Sequence, residues 1–172
     1  PPRSTLDRSS AASDVYKRQK MDINATLIDK DIVLPDAPPP AANYIPYVKI
    51  DKLVFVSGQV SQNENGFIKG VLGKDLNVKE GYDAARHCAI SLLAQLKSAV
   101  NGDLNKVARV VKLGGFVNSA PDFTEQPSVI NGASDLLVEL FGEKGRHART
   151  AVGANLPLGV AVEIDGIFEV ES

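Results

Sequence analysis

Two stretches of the chain repeat apolar residues every three or four positions, which is the spacing of one face of an α-helix. The first stripe, in 77–102, consists of Tyr82, Ala85, Ala89, Leu92, Leu93, Leu96 and Val100. Asn77 is placed to cap the start of this helix, and Gly102 follows its end. The second stripe, in 129–142, consists of Val129, Leu136, Leu137 and Leu140. Gly132 would cost that helix about 1 kcal/mol relative to alanine, so it indicates tight packing or a later helix start.

Runs rich in β-branched and aromatic residues predict strands between and around these helices. The runs are 47–60, 105–119, 148–155 and 158–170. The first divides into two strands at a tight connection at 51–52, and Asn65-Gly66 follows where a primed hairpin turn requires positive φ, giving a three-stranded meander. Gly114-Gly115 marks a bulge or the close approach of other backbone.

The N-terminal part divides into two regions. Residues 1–20 show no helical or strand period, and their segment SSAASDVYKRQ resembles translated adaptor sequence. We expect 1–20 to be non-native, the alternative being a disordered native tail. Residues 21–43 predict one short helix followed by a proline-rich extended arm, which leaves 44–172 as the folded domain.

The order of elements after the arm is β-β-β-α-β-α-β-β, which predicts an α+β fold with a mixed sheet and two helices on one face. Several predicted strands are apolar on both sides, for example in 52–58 and 106–117. Because the chain offers no third layer, we expect another subunit to cover the second face of the sheet.

Composition restricts the class of protein. With 172 residues, 44% apolar and 23% charged, the chain suits one soluble domain. A formal charge of −2 provides no field that would attract nucleic acid. One cysteine and two histidines exclude an internal disulfide and a Cys/His zinc site, whereas a carboxylate metal site stays open. No run approaches the roughly 18 to 20 apolar residues of a membrane span, and no signal peptide is recognisable, so we expect a cytoplasmic protein.

Two charged residues interrupt the last apolar runs. Arg149 begins one strand and Glu163 lies within the next. A guanidinium among small residues suits a planar carboxylate, because its N–H donors are parallel. Burial between Val162 and Ile164 would raise the pKa of Glu163, whereas a nearby Arg149 would lower it, so the direction stays open. The two residues are either a catalytic pair or a cross-strand ion pair.

Three segments resemble the reactive-intermediate deaminase (RidA) family, also called the L-PSP endoribonuclease family. They are PAANYIPYVKIDKLVFVSGQV, ARTAV and VAVEIDGIF, and the resemblance extends from Tyr44 to the C-terminus, within a poorly characterised branch. It implies a chorismate-mutase-like α+β fold and a homotrimer with clefts between subunits. In the deaminating members it implies hydrolysis of an amino-acid-derived enamine or imine to a 2-keto acid plus ammonia.

The resemblance also implies roles for individual residues. Arg149 matches the arginine that holds the substrate carboxylate, and Glu163 matches the acid that works with the attacking water. The remaining substrate-binding positions match Tyr47, Ser57, Gly58 and Asn131. No cofactor or metal ion is implied, and the expected partners are a small carboxylate substrate and further copies of the chain, without nucleic acid or membrane.

Departures from the family pattern leave the substrate open. The chain has an inserted loop at 119–127, and Ala151 stands where active deaminases often have cysteine. A trimeric binder of small carboxylates, without catalysis, is therefore the alternative. A ribonuclease ranks third, because no basic groove or pair of catalytic histidines is recognisable.

Several residues also have plain structural interpretations. Tyr47 suits an aromatic residue of the core or of an interface. Ser57 suits a hydrogen-bonding residue, since no histidine or acid lies at the sequence spacing expected for the partner of a nucleophilic serine. Cys88 suits a small buried filler. His147 is expected to face solvent, although it lies two residues from Arg149 and could line the mouth of a cleft.

Overall fold

A five-stranded mixed sheet with helices on one face forms the centre of the fold in the computed structural model, which describes residues 22–40 and 42–172. The helices are α1 (Ile23–Asp29), α2 (Val78–Ala99) and α3 (Gln126–Phe141). The strands are β1 (Tyr47–Ile50), β2 (Leu53–Val60), β3 (Gln62–Asn63), β4 (Gly66–Phe67), β5 (Val107–Val117), β6 (Ala148–Gly153) and β7 (Val162–Val170). The predicted α+β class is confirmed, and the prediction for the tail 1–20 lies outside the described residues.

The main sheet has the order β1-β2-β7-β5-β6. Strands β5 and β6 run parallel, joined through α3, and the other neighbours run antiparallel. Side chains alternate between two faces of such a sheet. The helix face is the one against α2 and α3, where Val54, Leu113 and Phe168 are fully buried. We call the opposite surface the open face.

Helix α2 starts as its sequence predicts. The Glu80 backbone N–H donates to Asn77 Oδ1 at 3.0 Å, and the Asn77 N–H donates to Glu80 Oε2 at 2.8 Å. This reciprocal capping box satisfies two backbone donors that the first helical turn would otherwise leave without partners. The predicted apolar stripe is buried except for Tyr82, whose hydroxyl donates to Asp135 on α3 at 2.9 Å.

Helix α3 begins at Gln126, before the first residue of its predicted stripe, and Pro127 occupies a position in the first turn where no N–H is needed. Gly132 has the predicted role in tight packing, because a Cβ there would collide with the backbone carbonyl of Tyr82 on α2. The backbones of α2 and α3 are therefore too close at this point for any side chain.

The predicted three-stranded meander is wrong in its third strand. The turn at 51–52 is present, with Asp51 at φ 51°, but β3 and β4 form a separate two-stranded ribbon outside the main sheet. The centre of the ribbon's turn is 64–65, and only Gly66 has positive φ, at 109°. Asn65 avoids that conformation because its N–H donates to Asn63 Oδ1 at 2.9 Å.

The glycine pair in β5 marks close approach and not a bulge. A Cβ on Gly115 would lie 2.7 Å from Ile130 Cγ1 of α3, and one on Gly114 would lie 2.7 Å from Asp165 Oδ2. The register of β5 against β7 shifts instead near Val107 and Val110, closer to the start of the strand. The glycines thus bring α3 and an acidic side chain against opposite faces of β5.

The open face is apolar at the β1–β2 edge. Val48 pairs with Phe55 and Ile50 pairs with Leu53, and these four side chains are 36% to 57% exposed. The prediction of a second apolar face is therefore confirmed, and its cover by another subunit stays a prediction. Among the described residues, no helix has both the length and the hydropathy required to cross a bilayer.

We expect Gly132→Ala to destabilise the fold by about 2 kcal/mol, the usual cost of overpacking, although alanine favours helix. The reason is that a Cβ there collides with the backbone of α2, which cannot rotate away as a side chain can. The free energy of unfolding in urea measures the effect.

Gly81→Ala provides the matched control within α2, because the three atoms nearest to its Cβ would be side-chain atoms of Leu72 and Val129 and not backbone. We expect a loss below about 1 kcal/mol there, since those side chains can adjust. A Gly132→Ala protein as stable as wild type would contradict the close approach of the two helices.

Candidate functional site

The predicted site residues lie in three separate places of one chain. One group is at the β6 edge on the helix face, one is on the open face at the centre of the sheet, and one is at the β1 edge. The groups are Arg149 with Asn131, Glu163 with Ser57 and Gly58, and Tyr47. Strands β1 and β6 are the two edges of the sheet, four strand spacings or about 19 Å apart.

Arg149 is anchored to the first half of α3. It stands opposite Leu113 in the parallel register, so its side chain lies on the helix face. Its Nη1 donates to Asn131 Oδ1 at 2.8 Å and to Ser134 Oγ at 3.0 Å, and its Nη2 donates to the Pro127 carbonyl at 3.3 Å. The structure therefore brings Arg149 and Asn131 together, as residues of one site require.

The partners of Arg149 are all neutral. No carboxylate among the described residues lies within ion-pair distance of the guanidinium, so its positive charge is not balanced within that part of the chain. Of its five N–H donors, three are engaged, and the Nε–H and the second Nη2–H have no partner among the described residues. A planar carboxylate can accept two such donors at once.

Ser134 and His147 extend this group, and the sequence analysis did not assign them to it. His147 Nε2 lies 3.0 Å from Ser134 Oγ, and its Nδ1 lies 2.6 Å from the Gly145 carbonyl oxygen. The prediction that His147 faces solvent is wrong, because the ring is half-buried. Burial lowers its pKa and the charge of Arg149 lowers it further, against the opposing effect of the bond to the Gly145 carbonyl. Ser134 is detectable in the sequence, since it follows Asn131 by three residues and so shares its helix face.

Glu163 lies on the open face, in a space that a glycine provides. It stands opposite Val60 of β2 and Phe116 of β5. The register of β2 shifts between Val56 and Gln59, and a Cβ on Gly58 within this bulge would collide with Glu163 Oε1. The structure thus brings Gly58 and Glu163 together.

The direction of the Glu163 pKa shift, which the sequence left open, is upward. Burial raises the pKa of Glu163, and the charge of Asp165 raises it further. Asp165 was not predicted as a site residue, but the period of two in a strand places it on the same face as Glu163. Burial also raises the pKa of Asp165, against the opposing effects of Lys112 and of the Gly114 N–H.

The alternative of a cross-strand ion pair between Arg149 and Glu163 is wrong. Strand β5 lies between β6 and β7, so the two residues are two strand spacings, about 10 Å, apart in the sheet. They also lie on opposite faces, since Arg149 aligns with buried Leu113 and Glu163 aligns with Phe116. Neither residue screens the other within one chain.

Two predicted residues lie near the arm and the segment that follows it. Tyr47 lines a cavity of about 470 Å³ together with Pro38, Pro39 and Gln95. The Ser57 hydroxyl donates to the Ile45 carbonyl at 2.7 Å, which agrees with its interpretation as a hydrogen-bonding residue. The arm itself is attached by Gln95 Nε2, which donates to the Pro38 carbonyl at 2.8 Å.

Other polar features have structural explanations. Cys88 is fully buried, its thiol lies 3.5 Å from the Val162 carbonyl, and burial raises its pKa, so the interpretation as a filler holds. The inserted loop forms one wall of a cavity of about 370 Å³ whose lining includes Ser119, Gln126 and Asn155. In residues 22–40 and 42–172, no three His, Cys, Asp or Glu side chains are grouped as a metal ion would require.

Comparison with known proteins gives consistent matches over most of the chain. The family model described as "YjgF/chorismate_mutase-like, putative endoribonuclease" matches residues 24–162. Protein TCP17 of Trypanosoma cruzi is 50% identical over 153 residues, which are 87% of this chain and 95% of TCP17. The 2-iminobutanoate/2-iminopropanoate deaminase of Dermatophagoides farinae is 29% identical over 143 residues, 81% of this chain and 95% of the deaminase.

A solved structure shows the same architecture. The crystal structure of Atu1372 from Agrobacterium tumefaciens, a protein of unknown function, superposes with a TM-score of 0.82 at 44% sequence identity. The match covers 92% of this chain and 99% of that protein.

We expect Glu163→Gln to raise the thermal unfolding midpoint at pH 7.5 by about 1 to 3 °C, the effect of a partly solvated charge in a domain of this size. A raised pKa means that the folded state holds the proton more tightly than the unfolded state. The stability of the wild type therefore falls as pH rises from the unfolded value near 4.5 through the folded one. Differential scanning calorimetry at pH 7.5 and at pH 3.5 measures the difference.

The gain should vanish at pH 3.5, where the wild-type carboxyl is protonated in both states. Glu171→Gln, which changes an exposed carboxylate, is the matched control and should leave the midpoint unchanged at both pH values. A Glu163→Gln protein less stable than wild type at pH 7.5 would show that the carboxylate is stabilised by its surroundings.

Proposed function

The chain belongs to the YjgF/chorismate mutase-like family, and from that premise we propose that it hydrolyses reactive enamines or imines derived from amino acids to 2-keto acids and ammonia. The observation that carries the proposal is the pair of unengaged donors on Arg149, whose charge no acid of the described chain neutralises. The similarity to an iminobutanoate/iminopropanoate deaminase supports the same reaction class.

Arg149 would bind the substrate carboxylate through its Nε–H and the second Nη2–H. The three bonds to α3 fix the plane of the guanidinium, so the carboxylate would meet a preorganised pair of donors. Lysine could not replace it, because a single ammonium cannot hold the same plane. Asn131 shares the Arg149 Nη1 and would contribute to positioning.

Glu163 would act on the water. An enamine first takes a proton at carbon to give an iminium ion, which loses a nitrogen proton to become the imine; water then adds to the imine carbon, forming a C–O bond, and one of its protons passes to the nitrogen, which becomes an amine. The carbinolamine loses its hydroxyl proton, the C–N bond breaks, and ammonia and the 2-keto acid leave. A carboxyl with a raised pKa can accept the proton from water and return it to the departing nitrogen near neutral pH.

The two halves of this site would meet between subunits. Arg149 lies at the β6 edge on the helix face, whereas Glu163 lies on the open face. A second copy packed against the open face could place its Arg149 beside the first copy's Glu163. We therefore propose a homotrimer in which each cleft combines Arg149 of one protomer with Glu163 of its neighbour, and the exposed apolar side chains around Phe55 support such packing.

A trimeric binder of small carboxylates is the second candidate. Arg149 has all its neutral partners without any contribution from Glu163, so a carboxylate could be held without catalysis. Ala151, which stands in place of the cysteine of many active deaminases, also favours this candidate. The cytoplasmic location stays a prediction from the sequence.

We expect the protein to accelerate keto-acid release from 2-aminoacrylate generated enzymatically from serine. Arg149→Ala should lower kcat/KM by about 100-fold, mainly through KM, and Glu163→Gln should lower kcat by about 100-fold. Arg146→Ala is the matched control and should keep the wild-type rate, since Arg146 is exposed and its one ion-pair partner among the described residues is Glu143. Binding of 2-oxobutanoate without acceleration would support the binder instead.

Mixing tests whether the cleft is shared. When Arg149→Ala and Glu163→Gln chains are unfolded together and refolded at equal amounts, about a quarter of the sites should regain both groups from neighbouring subunits. Homogeneous samples of either variant, refolded in the same way, should stay inactive. No recovery in mixtures that do assemble would contradict the shared site.

We expect Phe55→Glu to convert the trimer to monomers in sedimentation velocity experiments, because a charge on the open face would be buried without a partner on assembly. Phe55 is 38% exposed in the single chain. Val33→Glu is the control, since Val33 is 84% exposed on the arm and should leave the assembly unchanged. A trimeric Phe55→Glu protein would place the subunit contact elsewhere.

A further inference from the structure

A chain of hydrogen bonds connects a backbone carbonyl to the guanidinium of Arg149. The Gly145 carbonyl oxygen lies 2.6 Å from His147 Nδ1, His147 Nε2 lies 3.0 Å from Ser134 Oγ, and Ser134 Oγ accepts from Arg149 Nη1 at 3.0 Å. These residues come from three elements: the turn after α3, α3 itself and β6. This series of hydrogen bonds therefore forms only when the three elements pack together. Neither Ser134 nor His147 has a role in the proposed reaction steps.

The Gly145 carbonyl decides which atom donates and which accepts in each of these hydrogen bonds. A carbonyl oxygen only accepts, so His147 Nδ1 must carry the proton. In the neutral ring Nε2 is then an acceptor, and the Ser134 hydroxyl must donate to it. With its own proton directed to His147, Ser134 Oγ presents its lone pairs to Arg149 Nη1. One backbone carbonyl thus determines the direction of all three hydrogen bonds in this series.

We propose that His147, acting through Ser134, is a positioning residue for Arg149: the neutral imidazole orients the serine hydroxyl, and the hydroxyl holds the guanidinium. The inference rests on the proposed role of Arg149 as the carboxylate clamp. With both Nη1 protons taken by Asn131 and Ser134, the guanidinium cannot rotate without losing both bonds. The Nε–H and the second Nη2–H are thereby kept for a ligand.

Protonation of His147 would weaken this arrangement. An imidazolium has no acceptor nitrogen, so Nε2 would donate to Ser134 Oγ, which would then face two cationic donors while its own proton lost its acceptor. Burial lowers the pKa of His147 and the charge of Arg149 lowers it further, against the opposing effect of the bond to the Gly145 carbonyl, so the ring is neutral at neutral pH and takes up its proton in acid. The positioning of Arg149 by His147 and Ser134 is therefore intact at neutral pH and weakens in acid.

Arg149 is the charged group whose field acts on the imidazole. Lys112 of β5 lies on the open face of the sheet, beside Asp165, and Lys144 in the turn is exposed. The other charged side chains on α3 and the turn are engaged in pairs, which are Asp135 with Tyr82, Glu139 with Lys30 and Arg86, and Glu143 with Arg146.

The test is a histidine titration by long-range ¹H–¹⁵N NMR, in a His87→Gln background that leaves His147 as the single histidine. We expect the Nδ1–H tautomer at neutral pH and a midpoint below about 6.5. Arg149→Gln should raise the midpoint, because it removes a nearby positive charge. The opposite tautomer, or a midpoint that Arg149→Gln leaves unchanged, would overturn the proposal.

Ser134 variants separate positioning from a merely structural role. Ser134→Ala should shift the Nε2 resonance toward that of free imidazole and weaken 2-oxobutanoate binding by about fivefold, whereas Ser134→Thr, which keeps the hydroxyl, should restore both. Wild-type affinity should also decline as pH falls through the His147 midpoint, and Ser134→Ala should lack that step. Unchanged affinity in Ser134→Ala would overturn the proposal.

The outcomes distinguish this inference from the proposed function. If no deamination occurs but the titration and the Ser134 variants behave as expected, the reaction is wrong and the positioning device stands. If deamination occurs while Arg149→Gln leaves the His147 midpoint unchanged, the positioning device alone is wrong.

Discussion

The alternation of side chains along a strand is the constraint on which the arrangement of this molecule depends. Strand β5 lies between β6 and β7, and the registers place Arg149 on the helix face and Glu163 on the open face. A slip of one residue in either strand would exchange the faces. The cation and the acid therefore have separate environments within one chain, and only an assembly of chains could bring them together.

The separation explains the electrostatics of both groups. Among the described residues, the partners of Arg149 are neutral oxygen atoms, so no acid there offsets its charge at the edge of the sheet. Burial raises the pKa of Glu163, and the charge of Asp165 raises it further, with no opposing cation among the described residues. Had the two residues paired, each would have neutralised the other, and neither could act on a ligand. The fold thus holds Arg149 without an acidic partner among the described residues, and Glu163 partly desolvated, at a cost in stability.

Small residues provide the space in which these groups lie. Gly58 makes room for the Glu163 carboxylate, Gly114 for the Asp165 carboxylate, and Gly115 for the Ile130 side chain of α3. Gly132 lets α2 approach α3, which also presents Asn131 and Ser134 to Arg149. Positions with no side chain therefore determine where the functional side chains can be, because a packed interior has no other free volume.

The sequence by itself determined the class of fold, the two long helices with their apolar stripes and the Asn77 cap, because these follow from local periodicity. Arg149 and Glu163 came from a family resemblance in short segments and stay predicted site residues. The sequence could not place the third predicted strand, since β3 pairs with β4 in a separate ribbon and the choice of strand partner is not encoded in the local pattern. Nor could it assign Ser134 and His147 to Arg149, or tell which way the pKa of Glu163 moves. Those features depend on which strands are neighbours and which face each side chain takes, and contacts between residues distant in sequence exist only once the sheet and helices have packed.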